Sequence, residues 1–557
     1  MEATVEANMM RRICVGDMMK RRALLEPKKE AYSFVYKGKV TRHVTFEELH
    51  EEANRFANAI MELGIKKGDR VAILSHNCPQ FIDFIVALSK MGAWITPLNF
   101  ALKGREITPL INHSEAIMFI VEDELVDTVR ELEREMPSVR HYVMINLSGE
   151  KSLPPGWLDF DELCSEKYSA EEPCMEINGD DVMTLLYTSG TEAMPKGIMN
   201  SHANWAESIN CLNMFFYGCD RRAAAAGQRI TSEVILLGAA PLFHSIMFQY
   251  LTSLVMGHRF VLLHTPNSET VMSILQSGEI TQFALSPTVV VNLLNMPNGE
   301  ELVTKYLGGL EWAVLYGSPA TEPFLRRMID ALPNCRFRNC YEQTELTPLG
   351  CMLSYDDLVR KTKEGIERFG GAEAIGPPLP MVEMKIFDDN DNEVPVGTVG
   401  EIVVRSPCVM LGYYKEEEKT RETFRGGWHH TGDLGIMDEE GFSYFVDRKK
   451  DIIKTGGENV SSIEVEGWVA KHPKVSECTA VGLPHERWFE AVTMFVVPKT
   501  GESVTEEEII QHCKEGLAGY KVPKKVVVLD ELPKNPSGKV LKKDLRSEYK
   551  DAFASEK

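Results

Sequence analysis

With 557 residues the chain is too long for one hydrophobic core, so two or more domains are expected. Its apolar and charged fractions are those of an ordinary globular protein, and a net charge of −21 argues against a nucleic-acid backbone as partner. The acidity is uneven: from Arg448 to the C-terminus 19 Lys+Arg meet 18 Asp+Glu. This relatively basic part is either an ordinarily solvated small domain or a surface whose lysines meet anionic ligands.

No apolar run is long enough to span a bilayer; the longest, Phe81 to Leu98, is broken by Asp83 and Lys90, so integral membrane association is not expected. The N-terminus lacks a continuous apolar segment of the secretory kind, so a cytoplasmic location is expected. The twelve cysteines show no CxxC pair and read as reduced thiols.

Along the chain, Arg70 to Ser75 is a strand candidate followed by a helix over Pro79 to Met91. Ala116–Val121, Arg140–Ile145, Val182–Leu186, Val234–Ala239, Phe260–Leu263 and Ala313–Tyr316 continue as short apolar, β-branched runs between helical patterns. That alternation predicts α/β layers with mostly parallel sheets. From Ile375 to Arg405 the pattern changes to short strands separated by Gly, Pro and Asn-Asp turns, such as Met384–Phe387 and Gly400–Arg405, which predicts an antiparallel, β-barrel-like subdomain. Beyond Lys449 a smaller α+β unit is expected, with helices over Ser462–His472 and Thr505–Leu517 and strands over Thr479–Leu483 and Val492–Pro498.

The chemistry concentrates in a loop after the strand at Val182. Tyr187 to Gly197 reads YTSGTEAMPKG. Glycine lets backbone N–H groups approach an anion, hydroxyls donate, and lysine supplies charge. The loop is not the Walker pattern, because its lysine precedes the last glycine. Further stretches follow in order: Tyr341-Glu342-Gln343-Thr344-Glu345, His430-Thr431-Gly432-Asp433, Asp447-Arg448-Lys449-Lys450-Asp451 and Pro536-Ser537-Gly538-Lys539.

This series closely resembles the adenylate-forming superfamily: AMP-forming acyl-CoA synthetases, amino-acid-activating adenylation domains and beetle luciferases. The resemblance implies an adenylation domain over residues 1–448 and a mobile C-terminal lid over 449–557. It implies ATP, Mg²⁺ and CoA. Thr188, Ser189, Gly190, Thr191 and Lys196 would cradle the β and γ phosphates, and Thr344 would hold the α-phosphate. Glu345, with Thr191, would serve Mg²⁺. Gly317, Ser318 and Pro319, with Asn339, Cys340 and Tyr341, would wall the adenine and ribose. Asp433 would accept the ribose hydroxyls beside Arg448. Lys539 would stabilise charge between carboxylate and α-phosphate, and Lys450 would be the hinge. After lid rotation Lys454, Gly456, Gly457 and Glu458 would line a pantetheine channel, although Gly456-Gly457 is equally a tight turn by residue type.

The acyl pocket implied by the resemblance runs along Phe243 to Leu251 and against Tyr316, with Trp205, Phe243, His244, Met247 and Phe248. His244 either polarises the carboxylate or ends a strand. From Ala239 to Ser268 there is no Asp or Glu, which speaks against an α-amino acid, whose ammonium needs an anion. The expected substrate is therefore an apolar monocarboxylic acid, medium-chain, branched or cyclic. No carrier segment follows Lys539, which favours free CoA; a homodimer is compatible with the sequence. A ligase loading a separate carrier protein, a luciferase-like oxidoreductase and a non-catalytic nucleotide sensor remain as alternatives. Two residues depart from the family pattern: Glu192, with Ala193, in the phosphate loop, and Phe489, where glycine is common. Glu192 either tunes polyphosphate binding or points to solvent.

Overall fold

The computed structural model describes residues 2–188, 195–215, 234–285, 287–307, 312–316, 322–332, 335–369, 372–534 and 540–554. One eight-stranded sheet has the order Gly412–Tyr413, Lys196–Ser201, Val182–Thr188, Trp94–Leu98, Arg70–Leu74, Met118–Glu122, His141–Ile145, Leu158–Asp159. From Val182–Thr188 to Leu158–Asp159 its pairings are parallel. A second eight-stranded sheet has the order Leu349–Leu353, Arg336–Glu342, Trp312–Leu315, Gln282–Leu285, Ile235–Gly238, Arg259–Leu263, Glu30–Tyr36, Lys39–Thr45. It is antiparallel only at its two edges. The strands expected in these two sheets are present with ends moved by one or two residues. The hairpin of Glu30–Tyr36 and Lys39–Thr45 was not anticipated; it turns at Lys37 and Gly38, both with positive φ.

The two sheets bury their apolar faces against helices, as parallel strands require. Every residue of the helix Pro79–Met91 is buried, including Asp83 and Lys90, the two charges that interrupt the Phe81–Leu98 run. Lys90 Nζ is satisfied by Asn54 Oδ1 at 2.6 Å, His50 at 2.8 Å and Glu172 at 3.2 Å. Burial nevertheless lowers its pKa to about 8. Glu122 clasps the sheets together. Its Oε1 lies 2.7 Å from His264 Nε2, and its Oε2 lies 3.1 Å from His76 Nδ1 and accepts the His76 N–H at 2.7 Å. Burial works against ionisation here, but the hydrogen bonds from His264 and His76 win and hold Glu122 well below the usual carboxylate range.

The antiparallel subdomain is a five-stranded sheet, Glu373–Gly376, Ser443–Arg448, His429–Met437, Gly400–Arg405, Glu383–Phe387. The smaller C-terminal unit has its own sheet, in which Phe489–Pro498 pairs with Val475–His485 and with Lys525–Val528. Its helix starting at Ser462 stops at Val469, short of the expected His472, ahead of Pro473, which restricts the residue before it. The helix Glu506–Gly516 starts with a capping box of Thr505 and Glu508. The unit is tied to the rest through Asp447, whose Oδ2 accepts the Ser462 N–H at 2.6 Å and hydroxyl at 2.8 Å. Lys542 donates to the same Ser462 hydroxyl at 2.6 Å.

Gly456 and Gly457 form the turn between Ile453–Thr455 and Glu458–Val460, with φ of 60° and 89°. Two successive positive φ values are the signature of a two-residue hairpin turn that glycine suits. A Cβ on Gly456 would also meet the Trp488 ring at 2.9 Å, so this turn is both tight and closely approached. Next to it, Phe489 holds a φ of 68° with its ring 74% exposed. An exposed aromatic gains little from burial and bears left-handed strain of roughly 1–2 kcal/mol. Phe489→Gly is therefore expected to raise the thermal midpoint of unfolding, and Gly457→Ala to lower it; a lower midpoint for Phe489→Gly would contradict the strain assignment.

Candidate active site

Thr188 ends the strand Val182–Thr188 and lies opposite Lys196, which starts the returning strand. The two residues flank the hydroxyl-rich loop at the carboxyl end of a parallel strand, where ligands bind in open α/β sheets. Ser189, Gly190, Thr191 and Glu192 lie outside the described residues, as do Gly317, Ser318, Pro319 and Lys539. Lys534 and Val540, flanking Lys539, pair as an antiparallel bridge.

Around Thr344 the chain makes a short 3-10 turn, Thr344–Leu346, followed by Thr347 at φ 54°. A strand of one large sheet and the loop between Gly400–Arg405 and Gly412–Tyr413 hold this turn. Asn200, on the strand Lys196–Ser201, donates to Thr347 Oγ1 at 2.7 Å. Thr347 in turn donates to the Cys408 carbonyl at 2.7 Å, and the Met410 N–H donates to the Glu345 carbonyl at 2.8 Å. The Thr344 hydroxyl lies 3.4 Å from Ser245 Oγ, which lies 3.1 Å from His244 Nδ1. His244 and Thr344, one hundred residues apart, are thus brought together through Ser245. The Glu345 carboxylate accepts from the Tyr413 hydroxyl at 3.1 Å, and Lys196 Nζ lies 5.1 Å from the centre of the Tyr413 ring. Burial and the neighbouring Glu345 push the Tyr413 phenol well above its usual pKa, so it stays a donor.

A second cluster surrounds Asp433, which is buried and lies opposite Arg448 in the pair His429–Met437 and Ser443–Arg448. Asp433 Oδ2 accepts from the Tyr341 hydroxyl at 2.8 Å and from Gln343 Nε2 at 2.6 Å. Arg448 Nε stands 3.6 Å from Oδ1. Two donors on one oxygen fix the carboxylate's orientation. Asn339, on the same strand as Tyr341, donates to Glu373 at 2.9 Å.

An apolar cavity lies beside these clusters, lined by Ile246, Phe248, Val314, Tyr316, Leu349 and Met352 among others. Of the expected acyl-pocket residues, Phe248 and Tyr316 are in its lining. Trp205 is not: its indole is completely buried and donates to Thr184 at 3.0 Å, as a core residue. Met247 is also fully buried outside the lining, and Phe243 packs edge-on against Phe100 at 5.5 Å. Cys340, expected beside the nucleotide, lines this cavity instead. Strand alternation explains this placement: Tyr341 faces Asp433, so Cys340 and Glu342 face the opposite side.

On the smaller unit, Lys454, Gly456, Gly457 and Glu458 form one exposed turn, and Lys450 is exposed at the connection. Lys454 N–H is anchored on Glu490 at 2.7 Å. Ser245, Gln343, Asn200 and Tyr413 were not singled out by sequence. Gln343 sat inside a quoted motif, but the other three act through contacts between distant segments that no local pattern encodes.

The AMP-binding enzyme family matches residues 19–414, and the AMP-binding enzyme C-terminal domain matches residues 464–539. The chain belongs to the AMP-binding enzymes. A 2-succinylbenzoate–CoA ligase of Bacillus thuringiensis subsp. konkukian is 33% identical over 531 residues, covering 95% of this chain and 97% of that protein. A long-chain-fatty-acid–CoA ligase of Escherichia coli O6:H1 is 31% identical over 546 residues, covering 93% of this chain and 91% of that one. Among solved structures, o-succinylbenzoate CoA synthetase of Bacillus subtilis in complex with its acyl-adenylate intermediate superposes with a TM-score of 0.76 at 29% identity, covering 96% of this chain and 98% of that one. This AMP-binding enzyme is an acid–thiol ligase of the AMP-forming kind, with a carboxylic acid, ATP and CoA as substrates. No helix among its described residues is long and apolar enough to cross a membrane.

Removing one buried donor to an ionised acceptor costs about 1.5–3 kcal/mol. Tyr341→Phe is therefore expected to weaken nucleotide binding roughly tenfold or more, by loosening Asp433. Calorimetric titration with ATP checks this; unchanged affinity would show that the Tyr341–Asp433 contact is structural only.

Proposed function

We propose that this ligase activates a monocarboxylic acid with a largely apolar body, medium-chain, branched or cyclic, through an acyl-adenylate, and transfers the acyl group to CoA. The observation that supports the reading is the cavity lined by Ile246, Phe248, Val314 and Tyr316. The segments that carry the His244–Ser245–Thr344 contact continue directly into its wall. The relatives named above act on chemically different acids at similar identity, so kinship leaves the acid open and the cavity's chemistry is the better guide.

In the first half-reaction the acid's carboxylate attacks the α-phosphorus of ATP and pyrophosphate leaves. Two anions must meet, so positioned donors and cations lower the barrier. Thr188 and Lys196, with the loop residues Ser189, Gly190 and Thr191, hold the β and γ phosphates. Thr344 donates to the α-phosphate. Asp433, oriented by Tyr341 and Gln343, accepts the ribose hydroxyls beside Arg448, and Asn339 with Gly317, Ser318 and Pro319 shapes the nucleotide wall. Glu345 suits Mg²⁺, since one carboxylate oxygen is held by Tyr413 while the other has no hydrogen-bond partner among the described residues. When bound, this oxygen-seeking ion neutralises phosphate charge. His244, held by Ser245, orients the acid's carboxylate.

In the second half-reaction the CoA thiol attacks the acyl carbonyl and AMP leaves. The smaller unit turns about Lys450, bringing the exposed Lys454–Glu458 turn to the pantetheine chain. Lys539 serves only the first step. Lys539→Ala should abolish adenylate formation while largely sparing thioester formation from a supplied acyl-adenylate; equal loss in both would contradict this role. CoA-dependent AMP release measured across a carboxylic-acid panel tests the whole reading. Highest kcat/KM is expected for monocarboxylates with an apolar body, and strong preference for α-amino acids or dicarboxylates would overturn it.

A further inference from the structure

Among the described residues, Glu342 is the one carboxylate in the lining of the apolar cavity, and no lysine or arginine lines it. It ends the strand Arg336–Glu342, where the pairing with Leu349–Leu353 is irregular between Tyr341 and Glu342. Such irregularities re-aim side chains. Glu342 sits deep in the protein yet keeps some exposed surface, because that surface faces the cavity. Its carboxyl has no hydrogen-bond partner among the described residues. Burial pushes its pKa up to about 8, with no offsetting charge among the described residues. Two further oxygens on the cavity wall, Gln249 Oε1 and Thr252 Oγ1, are buried without a hydrogen-bond partner among the described residues. They lie on one face of the helix Phe248–Met256, three residues apart. The remaining titratable neighbour with basic character, His258, is held neutral, its pKa lowered to about 4 by burial and by Lys29 and Arg22.

An apolar cavity whose wall carries a carboxyl, an amide oxygen and a hydroxyl without partners among the described residues is not built for a hydrocarbon alone, since a buried polar group without a partner is costly. We propose that the acid carries, away from its reacting carboxyl, an N–H or O–H donor that Glu342 receives, and that Glu342 selects for that group. This rests on reading the cavity as the acyl pocket. It also revises what the absence of acidic residues across Ala239 to Ser268 suggested: the counter-charge comes from another strand. A second carboxylate on the substrate, by contrast, brings no donor of its own and meets a like charge whenever Glu342 is ionised.

The test compares acids of matched shape that differ in one group. The probes are benzoates bearing amino, hydroxy, methyl or carboxy at the ring positions, and 6-aminohexanoate, 6-hydroxyhexanoate and heptanoate. Each is assayed for CoA-dependent AMP release with the wild type and with Glu342→Leu and Glu342→Gln. A donor-bearing acid is expected to exceed its methyl counterpart in kcat/KM by at least about tenfold in the wild type, and Glu342→Leu should reverse that order. Amino over hydroxy would identify an ammonium, and the opposite a hydroxyl; both support the inference. A ratio unchanged by Glu342→Leu, or a wild-type preference for the carboxy-bearing acids, would overturn it. Thermal unfolding keeps the variants interpretable: replacing an unpaired buried carboxyl by leucine should raise the midpoint. If the wild type releases AMP with none of these acids, the reading of the cavity as a pocket for medium-chain or cyclic acids fails and the inference falls with it.

Discussion

The Thr344–Thr347 turn is the point on which the site depends. Its backbone and side chains are fixed by Asn200 from one large sheet, by the edge of the other, and by Cys408 and Met410 beyond the antiparallel sheet. A short turn has too few internal bonds to hold its own geometry, so it takes its shape from the elements that converge on it. That convergence puts a hydroxyl and a carboxylate, Thr344 and Glu345, on adjacent residues facing different neighbours, Ser245 and Tyr413. A reaction in which two anions must meet in line needs donors whose positions do not relax, and a turn pinned by neighbouring strands and a packed loop supplies them.

The strand leading into that turn separates two chemistries. Side chains alternate across a strand. Tyr341 therefore faces Asp433 and the polar cluster, while Cys340 and Glu342 face the apolar cavity. One strand thus forms a wall between a polar cluster and an apolar pocket. The Glu122 clasp between the large sheets plays a similar structural part at greater distance, burying a charge but surrounding it with donors so that the two layers keep their register. The smaller unit is joined more loosely, through Asp447 at the first turn of the helix Ser462–Val469 and through Lys449 to Asp389 at 2.8 Å. A few polar contacts near a charged connection are consistent with a joint that can move.

Much of this was legible in the sequence. Apolar β-branched runs such as Arg70–Ser75 and Val182–Leu186 announced parallel strands because burial on both faces selects such residues. By residue type the Gly456-Gly457 pair left a tight turn and a close ligand approach equally open; the structure forms the turn and adds a reason for Gly456, the Trp488 ring above it. Less legible were contacts across long sequence separations. Trp205 read as a pocket residue because a large aromatic near an apolar segment fits either role; its hydrogen bond to Thr184 settles it in the core. Glu342 is hidden by residue type inside a motif whose Thr344 and Glu345 carry the recognisable chemistry, and only its alternation with Tyr341 places it across the strand. Phe489 stood out by residue type, and its positive φ gives the departure a conformational meaning.

The central claim is that the acid's carboxylate attacks the α-phosphorus of ATP before any thioester forms. Incubating the enzyme with ATP, CoA and an acid labelled with ¹⁸O in its carboxylate, then weighing the products by mass spectrometry, tests it directly. The account predicts one labelled oxygen in the phosphate of AMP, since the P–O bond made in the first step survives when the thiol displaces AMP from the carbonyl. Label appearing in inorganic phosphate or pyrophosphate, with none in AMP, would contradict it.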